Sequence, residues 1–187
     1  MRYNSEHKAK SRERIIEAAR RLFRKRGFDG ASIDQVMHEA GLTRGAFYAH
    51  FESKEDLVSE VLGIEAGLVQ RLRGAAAAPD PAAASLRALA EYLEPGQRND
   101  VATGCPLVAH PVDSIRGDEA RRQGYTDRLR SLTDSLQAVL DDERDDAVLV
   151  SVLAVGGALL SSASSDPQLS DEIGRVCLDQ IKATLSE

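Results

Sequence analysis

Residues 27–57, GFDGASIDQVMHEAGLTRGAFYAHFESKEDL, constrain the fold of this chain more than any other stretch. Ser32 is a favourable N-cap, and Gln35 stands three residues on, the arrangement of a capping box. Ile33, Val36, Met37 and Ala40 recur at helical spacing and predict one apolar face over about 33–40. Gly41 ends that helix, because glycine enters the left-handed region without steric penalty. Thr43 caps a second helix, expected over 44–50. Ser53 caps a third, with Glu55 and Asp56 in its first turn, where the helix dipole favours acids. Two short helices joined by a glycine turn predict a helix-turn-helix, a motif whose second helix fits a DNA major groove.

Charge is distributed to match. The chain is acidic overall, net −6, yet residues 1–52 carry 11 Lys+Arg against 7 Asp+Glu, while 53–187 carry 13 against 23. A basic head on an acidic body attracts phosphate at one end and repels it elsewhere. The two cysteines, Cys105 and Cys177, fit no zinc or disulfide spacing, so neither a metal nor a cofactor is expected. No apolar run is expected to reach the roughly 18 residues of a membrane span. The basic N-terminus, with Arg2, Lys8, Lys10, Arg12 and Arg14, has no apolar core of a signal peptide. No membrane partner and a cytoplasmic location are the corresponding expectations.

Helical periodicity dominates the rest, predicting an all-α chain. A first helix is expected from Lys8 to Arg26, burying Ile15, Ile16, Ala19, Leu22 and Phe23 and stopping at Gly27. A helix from Lys54 to Arg73 carries Leu57, Val58, Val61, Leu62, Ile64, Leu68, Val69 and Leu72 on its apolar side, before Pro79 and Pro81 break the chain. Helices are expected near 82–93, over Cys105–Ile115 with a disturbance at Pro111, over Asp118–Leu140, over Arg144–Ser164, and over Gln168–Leu185, with a loop at 94–104. The 144–164 helix is apolar nearly all round and must be covered on all sides. The coverings weighed are a central position in one subunit, or a homodimer through a four-helix bundle of 144–164 and 168–185. Gly156 and Gly157 would permit close helix approach.

The segment GLTRGAFYAHFESKEDL at 41–57, preceded by IIEAARRLFRKRGFDGAS at 15–32, resembles the TetR/AcrR family of bacterial transcriptional regulators. The likeness covers roughly Arg12–Leu62. It implies a three-helix DNA-binding head, 1–53, and a C-terminal helical ligand-binding and dimerisation domain, 54–187. It further implies a homodimer on a palindromic double-stranded operator, usually a repressor, released by a small-molecule effector. Ser32 and Thr43 would hold phosphate oxygens with the adjacent backbone N–H groups. Arg44 would read guanine, Gly45 would let the helix approach the bases, Tyr48 and His50 would touch phosphate or base edges, and Lys54 would clamp a phosphate. Phe47 and Phe51 are expected in the core of the head.

An effector site is expected between the helices of the acidic body, with Tyr92, Cys105, Leu107, Val108, His110, Pro111, Tyr125 and Leu129 as candidates. Cys105 lies between Gly104 and Pro106 at a predicted helix start, where the dipole lowers a thiol pKa. The Gly-Cys element is similar to one in some regulators of this family whose cysteine senses oxidants or electrophiles, so a Cys105-based sensor is the alternative reading. Ordinary packing of a small buried side chain is the other. An enzyme with Cys105 as nucleophile and His110 as base is not expected. At i, i+5 the two do not share a helix face, and no oxyanion motif accompanies them. A module that kept the fold without reading DNA is a further alternative.

Overall fold

In the computed structural model, residues 2–63, 67–94, 105–140 and 143–186 are described, and their regular structure is helical throughout. The helices are α1 (Arg2–Gly30), α2 (Ile33–Glu39), α3 (Arg44–Phe47), α4 (Lys54–Gly63), α5 (Gly67–Ala76) and α6 (Pro81–Leu93). They continue with α7 (Pro106–Ala109), α8 (Pro111–Arg116), α9 (Glu119–Gln137), α10 (Arg144–Ala163) and α11 (Pro167–Thr184). Ile64, Gly104 and most of the expected 94–104 loop lie outside the described residues.

Two compact units emerge: Met1–Ile64 with Val112–Gly124, and Glu65–Pro111 with Tyr125–Glu187. The expected division between residues 53 and 54 thus differs from the observed one. The reason is burial: Leu57, Val58, Val61 and Leu62 of α4 are all inside the core of the first unit.

That core gathers Ile15, Ala18, Ala19 and Phe23 of α1 against Phe28, Val36, Met37, Phe47 and Phe51. Phe23 meets Phe28 edge-on at 5.3 Å, and Phe47 lies 5.5 Å from Phe51, ring geometries that add to simple area burial. α1 begins at Arg2, earlier than the sequence suggests, and its helical assignment runs to Gly30. Gly27 nevertheless breaks it as expected, with φ 71° and ψ 170°, a conformation essentially confined to glycine. A Cβ there would sit 2.8 Å from Asp113 Oδ1, so the residue also makes room for the segment 112–124.

In the second unit, Asp80 caps α6 through Ala83 N, and Asp166 caps α11 through Gln168 N and Leu169 N, each just before a proline at the first turn. Pro111 splits the helix expected over 105–115 into α7 and α8. The core joins Leu68, Leu72, Leu89 and Leu93 with Leu132, Leu136, Ala147, Val150, Ala154 and Ile181. α10 is long and apolar enough, by length and composition, to cross a membrane, contrary to the expectation from run length. One side of it is buried through Ala147, Val150, Ser151, Ala154, Gly157, Ala158 and Ser161. The other side leaves Val148, Leu149, Val152 and Leu160 exposed, Val152 at 61%. Gly157 serves contact within the subunit: a Cβ there would lie 2.9 Å from Cys177 Sγ. Gly156 faces open space.

Candidate functional site

The turn between α2 and α3 is built by hydrogen bonds that a local sequence can specify. Leu42 N donates to Met37 O and Gly41 N to His38 O, both at 2.9 Å, the pairing of a Schellman motif. Gly41 sits at its left-handed position with φ 64°. Arg14 reaches over from α1 and donates to Ala40 O at 2.6 Å, satisfying a carbonyl at the helix end. A Cβ at Gly41 would stand 2.8 Å from Arg14 Nη2, so glycine is required for space as well as for φ.

The capping box at Ser32 is complete: Gln35 N donates to Ser32 Oγ at 3.2 Å, and Ser32 N donates to Gln35 Oε1 at 3.0 Å. Ser32 N–H is therefore occupied, and only its hydroxyl proton remains to offer a phosphate. Thr43 occupies the N-cap of α3 without a side-chain capping bond, which leaves its exposed hydroxyl available. Ser53 Oγ accepts from Asp56 N at 3.0 Å, so Ser53 caps α4 as the sequence predicts, and Asp56 Oδ2 accepts from Glu52 N, the residue before the cap, at 3.0 Å.

α3 is shorter than expected, ending at Phe47, and Tyr48, Ala49 and His50 form the turn that follows. Phe47 and Phe51 both enter the core, and the turn between them closes with Phe51 N donating to Phe47 O at 3.0 Å. Tyr48 is 59% exposed, its ring edge-on to Phe47. His50 is half-buried, and its Nδ1 has no hydrogen-bond partner among the described residues. Burial first, then the charges of Lys8 and Arg12, hold its pKa below 6.5, which keeps the ring neutral at pH 7.

Of the expected DNA-facing residues, Ser32, Arg44 and Lys54 line one open groove of about 500 Å³ together with Gly30, Asp34 and Gln35. Thr43, Gly45, Tyr48 and His50 are not part of that groove. Nothing would meet a Cβ at Gly45 within 4 Å, so the space above α3 is open. Arg44 is not solitary: its Nη1 donates to Asp34 Oδ2 at 2.7 Å. Sequence reasoning passed over Asp34, since its pairing across ten residues exists only once the Schellman turn has set the angle between α2 and α3.

In the second unit, Cys105 is buried ahead of α7, and burial pushes its thiol pKa up. The neighbouring Tyr92 hydroxyl, the backbone at Leu107 and Val108, and Arg128 pull the other way without overcoming it. The expected lowering by the helix dipole is therefore overturned: α7 has only four residues, and desolvation outweighs its field. Tyr92 Oη is buried and makes no full hydrogen bond among the described residues, and burial raises its pKa well above 10.0. Tyr125 Oη donates to Leu107 O at 2.9 Å. Leu107 and His110 are buried and Val108 is half-buried, whereas Leu129 is 40% exposed and stands apart from the enclosed group.

Known proteins share these features. The sequence pattern described as "Bacterial regulatory proteins, tetR family" matches residues 15–61, the span holding the capping box, the glycine turn and α3. YfiR of Bacillus subtilis (strain 168), described as an uncharacterized HTH-type transcriptional regulator, is 32% identical over 120 residues, covering 63% of this chain and 58% of the relative. The HTH-type transcriptional regulator AcrR of Shigella flexneri is 43% identical over 51 residues, 27% of this chain and 24% of the relative. The matches thus span less than two thirds of these relatives' own length. The fold extends further. The reduced form of E. coli NemR superposes with a TM-score of 0.77 at 21% identity, over 92% of this chain and 95% of that one. A SmeT–triclosan complex superposes at 0.71 and 20% identity, over 92% and 90%. With the helix-turn-helix and its core in this register, residues 15–61 carry the pattern of the TetR family of bacterial regulatory proteins.

Proposed function

We propose that this protein is a DNA-binding transcriptional regulator, acting as a homodimeric repressor on a palindromic operator in the bacterial cytoplasm. The observation that carries this reading is the groove at the helix-turn-helix, where Ser32, Arg44 and Lys54 stand together on the basic unit of an otherwise acidic chain. Lys54 supplies a point charge for a phosphate, and the Ser32 and Thr43 hydroxyls supply neutral donors. Arg44 supplies the planar fork suited to guanine O6 and N7. Gly45 and exposed Tyr48 complete the surface that α3 presents. His50 contributes from its half-buried position, where contact with a phosphate would favour its protonated form.

Dimerisation is supported by the uncovered apolar residues of α10, Val148, Val152 and Leu160, together with Leu169 and Val176 of α11. A second copy would remove this apolar area from water. An effector site in the second unit is supported by the buried Tyr92 hydroxyl, which has no full hydrogen-bond partner in the described protein and whose polar oxygen a ligand would satisfy. SmeT, a structural neighbour, was solved with triclosan. By analogy, the effector here is a small, largely apolar molecule that meets Tyr92, Cys105, Leu107, Val108, His110 and Tyr125. A sensor based on Cys105 draws less support, because a buried thiol with a raised pKa holds little thiolate.

Titration of a selected duplex with the wild type and with Arg44→Ala tests the reading. Loss of about 1–3 kcal/mol on the specific duplex, with relaxed preference at one base pair, is expected. Unchanged preference removes Arg44 as a reader.

A further inference from the structure

The ion pair between Arg44 and Asp34 is placed where it bears on recognition. Arg44 Nη1 donates to Asp34 Oδ2 at 2.7 Å, with both side chains largely exposed, at 61% and 58%. An acidic residue on the surface that meets DNA is electrostatically unfavourable, because it faces phosphates. Its presence in the first turn of α2 also favours that short helix, which would be a sufficient reason for it in isolation. The geometry adds a second consequence. One donor of the guanidinium is taken by the carboxylate, while Nε and Nη2 have no partner among the described residues. Those two donors form a parallel pair, the geometry that guanine O6 and N7 accept. An arginine left to itself samples many rotamers and loses that freedom when it binds; one already fixed by a carboxylate loses less.

Resting on the reading of Arg44 as a base contact, we propose that Asp34 is a positioning residue that buttresses Arg44 across the glycine turn, exchanging general affinity for DNA for discrimination at the base pair Arg44 reads. Asp34 itself touches no base. It holds the plane of the guanidinium through Nη1 and sets which way the remaining donors face. Its negative charge weakens attraction to every duplex alike, and its grip on Arg44 sharpens preference at one position.

The test measures dissociation constants at fixed salt for a selected duplex and for duplexes substituted at each base pair, using wild type, Asp34→Asn, Arg44→Ala and the double variant. Thermal unfolding of each variant accompanies the binding data. Asp34→Asn is expected to lower discrimination at a single base pair by about tenfold, to leave the other positions unchanged, and to tighten binding to unrelated duplexes. In the Arg44→Ala background the same substitution is expected to leave discrimination untouched. Tighter binding to all duplexes with discrimination intact would reduce Asp34 to a repulsive charge and overturn the proposal. So would an equal loss of discrimination in the Arg44→Ala background, since Asp34 would then act without Arg44. Wild-type protein that binds all duplexes equally would instead overturn the regulator reading itself, and the buttress with it.

Discussion

Arg12 and Glu60 meet fork to fork: Nη1 donates to Oε1 at 2.9 Å, and Nη2 lies 2.9 Å from Oε2. The pair ties α1 to α4 across the first unit, and the same guanidinium lies 5.1 Å from the centre of the Phe51 ring. Two parallel bonds and an aromatic floor give this contact a defined geometry that most surface ion pairs lack. It fixes α1 against α4, the two helices that flank α2 and α3 in the chain.

The pair has a pH signature. Glu60 is held below its ordinary 4.5, chiefly by the hydrogen bond from Arg12, with burial opposing and the Arg12 charge adding to it. A carboxyl whose folded pKa is depressed contributes stability that is present above its unfolded value and is lost as pH falls through the folded one. Glu60→Gln should therefore destabilise the protein by about 1 kcal/mol at pH 7, given the partial exposure of both groups. The difference from wild type should shrink below pH 4.5 in urea unfolding curves taken across pH. A difference that stays constant to pH 3 would mean the ion pair is not its source.

Gly27 combines two constraints that can be separated. Its backbone conformation should make Gly27→Ala cost about 1–3 kcal/mol, and its Cβ would press on Asp113 Oδ1 besides. Adding Asp113→Ala should recover the steric share and leave the backbone share. Full recovery of the melting temperature in the double variant would show that φ at this position carries no penalty.

Gly45 distinguishes folding from recognition. A methyl group there meets nothing in the free protein, and alanine favours helix over glycine by up to about 1 kcal/mol. Gly45→Ala should melt at the same temperature as wild type or higher, yet bind a selected duplex more weakly. Undiminished specific binding would remove the close-approach role.

The exposed face of α10 should report on assembly. Val152→Glu places a charge in the centre of the uncovered apolar strip and should shift the mass seen by light scattering from dimer to monomer, with helical circular dichroism retained. A variant that stays dimeric would place the interface elsewhere, and a wild type that is monomeric at micromolar concentration would dismiss it.

What could be read from the sequence was local. The capping box of Ser32 and Gln35, the left-handed Gly41, the stop at Gly27 and the burial of Phe47 and Phe51 depend on residues within one or two turns of each other, and all are found. The misses depend on distance along the chain or on solvent. Asp34 meets Arg44 only across a folded turn. Arg121 grips Asp29 at 3.1 Å and lies 5.7 Å over Phe28, so a segment some ninety residues away joins the first unit. The shift of Cys105 follows from how deeply it is buried, which flanking glycine and proline do not disclose.

Sequence-specific recognition by a homodimer is tested most directly by selection of bound sequences from a pool of random duplexes at a stated salt concentration. A homodimer that reads guanine through Arg44 should select a palindromic consensus whose half-sites lie about one helical turn apart, or slightly more, with a recurring guanine that disappears in the Arg44→Ala selection. Recovery of no consensus, with binding that depends on salt but not on sequence, would contradict it.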